Sequence, residues 1–289
     1  MRTFDGKVTV ITGAGSGIGR ALALDVATRG AVLALSDQDE VGLLETAEQA
    51  KARTDREVRV DKLDVRDAAA MHDYAGSVAE ELGRVNVVVN NAGVALHGDF
   101  EEVSYEDFAW VMDVNFWGVV RGSKEFLPHL IASGDGHLVN ISSLFGLLGM
   151  PGQTAYNASK FGVRGFTEAL RQELLIAKHP VQVTCVHPGG IKTAIARNAR
   201  ATVSHDQAEV ARFFDTRLAK TTAEKAADTI VRGVLANKPR VLVGSDAKVL
   251  DVGVRLLGAR YQRLVATVAG RVTPKPAHAG RGPGPQRRT

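Results

Sequence analysis

A chain of 289 residues and 30.8 kDa, 45% hydrophobic and 24% charged, can bury a large core, and its one cysteine, Cys185, excludes an internal disulfide framework or a cysteine zinc finger. No apolar run approaches the roughly 20 residues of a membrane span, and the first seven residues lack a signal-peptide core, so a cytoplasmic protein is expected. The net charge of +4 and the pI of about 9.2 point at first to nucleic acid or an anionic surface.

Two periods alternate from the start. Residues 8–11 (Val-Thr-Val-Ile) form a β-branched run and predict a strand. Residues 20–29 place Ala21, Leu22, Leu24 and Val26 at helical spacing. The same reading predicts strands at 31–35, 58–63, 85–89, 137–141, 181–186 and 240–243. Helices are predicted at 40–53, 68–82, 106–130, 155–177 and 223–236. Strand–helix alternation with near-continuous apolar strands predicts a parallel sheet of about seven strands, covered on both faces. Right-handed crossovers make it a Rossmann-type, doubly wound α/β domain, with ligands outside the carboxyl ends of the strands. This domain is expected to span 1–245. Residues 246–269 follow as a helical extension, with one amphipathic helix at 248–269, and 270–289 as a flexible Pro/Gly/Arg-rich tail.

The first strand runs into Thr12, Gly13, Gly15, Ser16, Gly17, Ile18 and Gly19, and then a helix. Such glycines allow a tight turn and close approach to a diphosphate, and the helix N-terminus supplies N–H groups and a positive dipole. Neither Gly-x-Gly-x-x-Gly nor a Walker pattern fits; what stands is Thr-Gly-x-x-x-Gly-x-Gly. Asp37 ends the second strand, about 20 residues past the glycines, where an acid accepts hydrogen bonds from an adenosine ribose and repels a 2′-phosphate. Asp39 is the better cap for the next helix. No arginine follows Asp37, and Ser16 rather than a basic residue lies in the loop, so NAD is expected over NADP. Downstream come Asn90, Asn91, Ala92 and Gly93 at the end of a strand, and Tyr156 and Lys160 at i and i+4 on one helix face.

Assembled, these motifs resemble the classical short-chain dehydrogenase/reductase family over roughly residues 4–244. They fall in the family's order: the glycine loop, Asp64, the Asn90–Gly93 turn, Asn115, Ser143, Tyr156 with Lys160, and Pro188-Gly-Gly-Ile-Lys-Thr193. The resemblance implies that Asp64 and Val65 contact the adenine and that Asn90 supports the sheet. It implies that Pro188, Gly189, Ile191 and Thr193 lie at the cofactor, with Thr193 on the nicotinamide carboxamide. It implies a catalytic set of Asn115, Ser143, Tyr156 and Lys160. Tyr156 is then the acid/base, Lys160 also holds the nicotinamide ribose, and Asn115 binds a water that connects Lys160 to solvent. Ser142 rivals Ser143 by chemistry, and the family's spacing selects Ser143.

A free tyrosine titrates near 10, and bringing it to about 7 takes about 4 kcal/mol. A cation about 4 Å away supplies about that much at an effective dielectric near 20, so Lys160 could deliver most of the shift. No His-Glu-x-x-His or paired metal spacing occurs, so no metal is expected. His187 and Cys185 read as structural. Residues 94–100, 144–153 and 191–214 are expected to line the substrate pocket. The middle segment is apolar and uncharged, which favours a hydrophobic secondary alcohol or ketone, steroid-like or acyl-chain. The third holds Arg197, Arg200, His205 and Arg212 and reads as a lid that closes over the cofactor. Its cations could instead recognise an acyl carrier's phosphate. An NADPH-dependent carbonyl or 3-oxoacyl reductase and a silent dinucleotide-binding protein are the alternatives. Helices 106–130 and 155–177 are expected to form a homodimer or homotetramer interface, by resemblance only.

From residue 270 onward the sequence holds Arg271, Lys275, Arg281, Arg287 and Arg288 and no acid, which leaves the rest of the chain at −1. The basicity therefore does not argue for nucleic acid. The question that remains is whether helix 248–269, with the cationic segment behind it, caps a neighbouring subunit's pocket, packs on its own domain or lies on a membrane surface.

Overall fold

The computed structural model describes residues 3–272. Seven strands build one sheet: β1 (Val8–Thr12), β2 (Val32–Asp37), β3 (Val58–Lys62), β4 (Val87–Asn90), β5 (Gly136–Ile141), β6 (Val181–Pro188) and β7 (Arg240–Val243). All pairings are parallel, in the order β7-β6-β5-β4-β1-β2-β3. The chain order reverses between β1 and β4, so a crevice forms beyond their carboxyl ends.

The helices are α1 (Gly17–Thr28), α2 (Glu40–Lys51), α3 (Ala68–Leu82), α4 (Tyr105–Met112), α5 (Gly118–Ala132), α6 (Thr154–Ile176), α7 (Gln207–Phe213), α8 (Ala223–Leu235), α9 (Ser245–Leu257) and α10 (Tyr261–Val272). Side chains alternate across each strand, so β1 sends Ile11 to one face and Val8 and Val10 to the other. On the first face Ile11 packs with Leu22 of α1, Leu43 of α2 and Ile230 of α8. On the second, Val8 and Val10 pack with Met71 of α3, Phe126 of α5 and Leu174 of α6. Both faces are covered, which is why the strands read as unbroken apolar runs. Asp39 caps α2 by accepting from the Gly42 N–H at 3.3 Å, and Asp67 caps α3 through the Ala70 N–H at 3.0 Å.

Two predicted helices differ in detail. The helix expected at 106–130 is α4 and α5 joined by a π-helical turn, Asp113–Trp117, with Asn115 at its centre. The helix expected at 248–269 breaks at Gly258, where φ is +51°, into α9 and α10. Glycine adopts that angle without the steric cost of a Cβ. The helix also continues through Val272, so the tail does not begin at 270; residues 273–289 lie outside the described residues. Among the described residues no helix is long and apolar enough to cross a membrane.

Candidate active site

The glycine loop is built by close approach. An ideal Cβ on Gly13, whose φ is +67°, would lie 2.7 Å from Ala92 Cα, and one on Gly19 would lie 2.1 Å from the Gly13 oxygen. Thr12 Oγ1 accepts from the Asn91 and Ala92 N–H groups at 3.1 and 3.2 Å. Asn91 Nδ2 in turn donates to the Thr12 and Gly13 carbonyls at 3.0 Å each. These bonds tie β1 to β4 across the switch point. Ser16 precedes α1 in extended conformation without capping it, and the first turn of α1 carries no acid. The N–H groups of Gly17, Ile18 and Gly19 therefore suit an anion such as a dinucleotide diphosphate. Thr193 sits over this turn, since a Cβ on Gly17 would meet its Cγ2 at 3.1 Å.

Asp37 closes the cradle. Its Oδ2 accepts from the Gly15 N–H at 2.8 Å and its Oδ1 from the Asp39 N–H at 2.9 Å. Asp64 is held by Arg66 at 2.6 Å, a pairing that keeps its carboxyl below the usual range. Val65 beside it is buried against Gly118. Asn90 Nδ2 donates to Asn140 Oδ1 at 2.8 Å, and Asn140 Nδ2 to Thr167 Oγ1 at 3.0 Å. This buried polar chain supports the sheet under the site.

The four predicted catalytic residues come from α6, the π-helical turn and the end of β5. Ser143 follows β5 and accepts from the Phe145 N–H at 3.1 Å, while His187 Nδ1 donates to its carbonyl at 2.9 Å. Burial lowers the His187 pKa to about 4, so the ring is neutral near pH 7 and serves as a strut. Ser142 points the other way and donates to the Lys160 carbonyl at 2.8 Å, so geometry separates the two serines. Tyr156 stands beside Ser143, whose hydroxyl favours the phenolate, and carries Phe145 edge-on at 6.2 Å. Lys160, 3% exposed, donates from Nζ to the Ile141 carbonyl at 3.1 Å and lies 5.6 Å from the Tyr156 ring centroid.

One expectation is corrected here. Burial raises the Tyr156 pKa above its ordinary value, with Ser143 pulling against it. Lys160 does not offset that rise, since its ammonium is engaged by a carbonyl and is itself pushed by burial down to about 8. The side chain of Asn115 is already satisfied, with Oδ1 accepting from the Val94 N–H at 2.8 Å and Nδ2 donating to the Val94 carbonyl at 2.9 Å and Ser159 Oγ at 3.2 Å. It braces the turn after β4. A Cβ on Gly93 would lie 3.1 Å from Asn115 Oδ1 and 3.5 Å from Lys160 Nζ, so the three residues do converge.

Of the expected lid cations, Arg197 pairs with Asp215 at 2.9 Å and Arg200 with Asp107 at 2.7 Å. These internal pairs leave little of either charge for a carrier phosphate. The segment is also tied down, with Arg200–Ala201 laddered to Leu96–His97 and Ile191–Lys192 to Thr221–Thr222.

Asp246 escaped the sequence reading. Its Oδ2 accepts from the Gly190 N–H at 2.7 Å, and a Cβ on Gly189 would meet the same carboxylate at 2.2 Å. An acid after Gly244 reads as an ordinary helix start; the only signal was a second glycine beside Pro188-Gly189. Asp246→Ala leaves the Gly190 N–H without its partner. It is expected to cost about 1–3 kcal/mol and to weaken dinucleotide binding, with Asp246→Asn recovering part of both. Thermal unfolding and cofactor titration check this, and an unchanged Asp246→Ala protein would refute it.

A family described as short chain dehydrogenase matches residues 7–204. The chain is 56% identical over 274 residues to the putative oxidoreductase SadH of Mycobacterium tuberculosis, which covers 95% of this chain and 99% of that protein. Among solved structures, a short chain dehydrogenase/reductase from Burkholderia phymatum in complex with NAD is 33% identical. It has a TM-score of 0.83 and covers 91% of this chain and 97% of its own. An alcohol dehydrogenase from Thermococcus sibiricus, complexed with 5-hydroxy-NADP, is 27% identical with a TM-score of 0.70, covering 82% and 95%. The glycine cradle at the switch point, the Ser143–Tyr156–Lys160 cluster and these matches agree: the chain belongs to the short chain dehydrogenase family of oxidoreductases.

Proposed function

We propose that this protein is an NAD-dependent oxidoreductase, acting in the cytoplasm, that interconverts an apolar secondary alcohol and its ketone. The convergence of Ser143 and Tyr156, with Lys160 Nζ 5.6 Å from the phenol ring centroid, carries this reading. The cradle fits the cofactor through uncapped N–H groups at α1 and the Asp37 carboxylate at its edge. When bound, the oxidised nicotinamide supplies the hydride acceptor and a positive charge beside the phenol. Ser143 Oγ hydrogen-bonds the substrate oxygen and stabilises charge developing there. Tyr156 Oη takes the hydroxyl proton as the C–H bond breaks and the C=O bond forms, and returns it in reduction. Lys160 favours the phenolate during that exchange.

The apolar preference rests on the uncharged segment 144–153, in which Leu144, Leu147 and Leu148 are buried, and on the neighbouring cleft of about 380 Å³, where Met150, Pro151, Tyr261 and Val265 line the wall with Thr154, Asn157 and Gln262. Trp117 and Phe161 stand half-exposed on the helices expected to join subunits, which supports a homo-oligomer.

Cofactor choice tests the reading at Asp37. NAD is expected to bind at least about tenfold more tightly than NADP. Asp37→Asn keeps an acceptor for the loop but removes the charge, and should shift the ratio toward NADP by about tenfold or more. Titration by tryptophan fluorescence measures both, and equal affinities in the unmodified protein would end the NAD assignment.

A further inference from the structure

The helix pair α9–α10 has an inner and an outer side. On α9, Ala247 and Asp251 are buried and Val254 packs against the Leu144–Leu148 cluster. Half a turn round, Val249, Val252 and Leu256 are 70%, 54% and 81% exposed. On α10, Tyr261 and Val265 face the cleft, while Leu264 and Val268 are 56% and 50% exposed beside them. Lys248, Arg255, Arg260 and Arg263 are exposed on the flanks of this apolar stripe. Among the described residues the pair has two acids, and both turn inward: Asp246 to the Gly190 N–H, Asp251 to Arg240 and Arg255.

The geometry points to an anionic bilayer surface as the partner of this face, with the leucines in the headgroup boundary and the arginines among the lipid phosphates. Helices with an apolar stripe and a basic flank lie in such an interface, and each cation near it adds about 1 kcal/mol. A second copy is a poorer occupant, because a face whose cations are exposed and whose acids turn inward offers its own copy no opposite charge. Residues 273–289 are poorer still, since they contain no Val, Leu, Ile or aromatic residue, and add four more cations and no acid.

Tyr261 joins this face to the site. Its hydroxyl accepts from the Gly149 N–H at 3.0 Å, six residues past Ser143. Docking would therefore set the substrate cleft at the lipid surface, where an apolar alcohol or ketone dissolves. This last step rests on the dehydrogenase reading; the docking does not.

Sedimentation of the full chain with vesicles tests the docking without any turnover. Vesicles of phosphatidylcholine with about 30% phosphatidylglycerol are expected to bring the protein down, and pure phosphatidylcholine is not; about 0.5 M salt, which shortens the screening length to roughly 4 Å, should release it. Leu256→Ser and Leu264→Ser should each weaken binding about tenfold, and Arg260→Gln with Arg263→Gln about tenfold together. These variants should keep unmodified turnover of a small water-soluble ketone, which shows that they fold. No binding to the anionic vesicles overturns the proposal. So does binding that the serine variants leave unchanged, which the basic segment alone would explain. A particle mass that halves in those variants would assign the face to a second copy and overturn it too. If the vesicles bind and no ketone is turned over, the docking stands and the dehydrogenase reading falls.

Discussion

Tyr156→Phe should lower turnover of every accepted alcohol or ketone at least about a thousandfold, equivalent to about 4 kcal/mol of barrier. The ring that meets Phe145 at 6.2 Å is kept and only the phenol oxygen beside Ser143 is lost, so dinucleotide affinity should change little. The pH profile gives the role its signature. Oxidation needs the phenolate and reduction needs the phenol. Burial holds the phenol above its ordinary pKa, so oxidation should rise with pH and reduction fall. Lys160 carries its charge below its pKa of about 8 and loses it above, so support for the phenolate fades on the alkaline side. The unmodified enzyme should therefore show an oxidation maximum rather than a steady climb. A Tyr156→Phe protein that kept the rising limb would place the base elsewhere.

Gly19→Ala should be the most damaging methyl in the chain's cofactor loop. The added Cβ would sit 2.1 Å from the Gly13 oxygen, 2.8 Å from the Gly13 carbonyl carbon and 2.6 Å from Asn91 Nδ2. Two of those atoms are backbone and cannot rotate away, and the third already bridges Thr12 and Gly13. The expected cost is about 2–3 kcal/mol, or a fall in melting temperature of roughly 5–10 °C, with dinucleotide binding reduced at least tenfold. Gly76→Ala is the control. It lies within α3 with nothing within 4 Å of the new methyl, and should be neutral or slightly stabilising. Melting curves of the two proteins decide the matter, and equal curves would show that the loop has room it does not display.

The sheet was legible because each strand is buried on both faces, so Val8–Thr12 or Val181–Pro188 stands out as an apolar run without help from distant residues. The glycine loop was legible for a related reason: only glycine tolerates a neighbour at 2.1 Å, so the constraint is written at the position itself. What escaped depends on partners far along the chain. Asp246 meets Gly190 across 56 residues, and nothing local marks that contact. The protonation of Tyr156 escaped because burial and the Lys160–Ile141 bond are three-dimensional facts, whereas a Tyr-x-x-x-Lys spacing suggests only that a cation is near. The break at Gly258 was missed because apolar spacing continues across it, and the turn shows only in the backbone angle.

Asp246 and Tyr261 stand on consecutive helices, and each grips a different loop: one the Pro188–Gly190 turn, the other Gly149, which is 112 residues away in sequence. The helix pair thus acts as a yoke. The Pro188–Gly190 turn and the Gly149 loop are each held by one helix of the pair. An engineer who trims the chain after Val243 to reach a smaller protein would cut both reins.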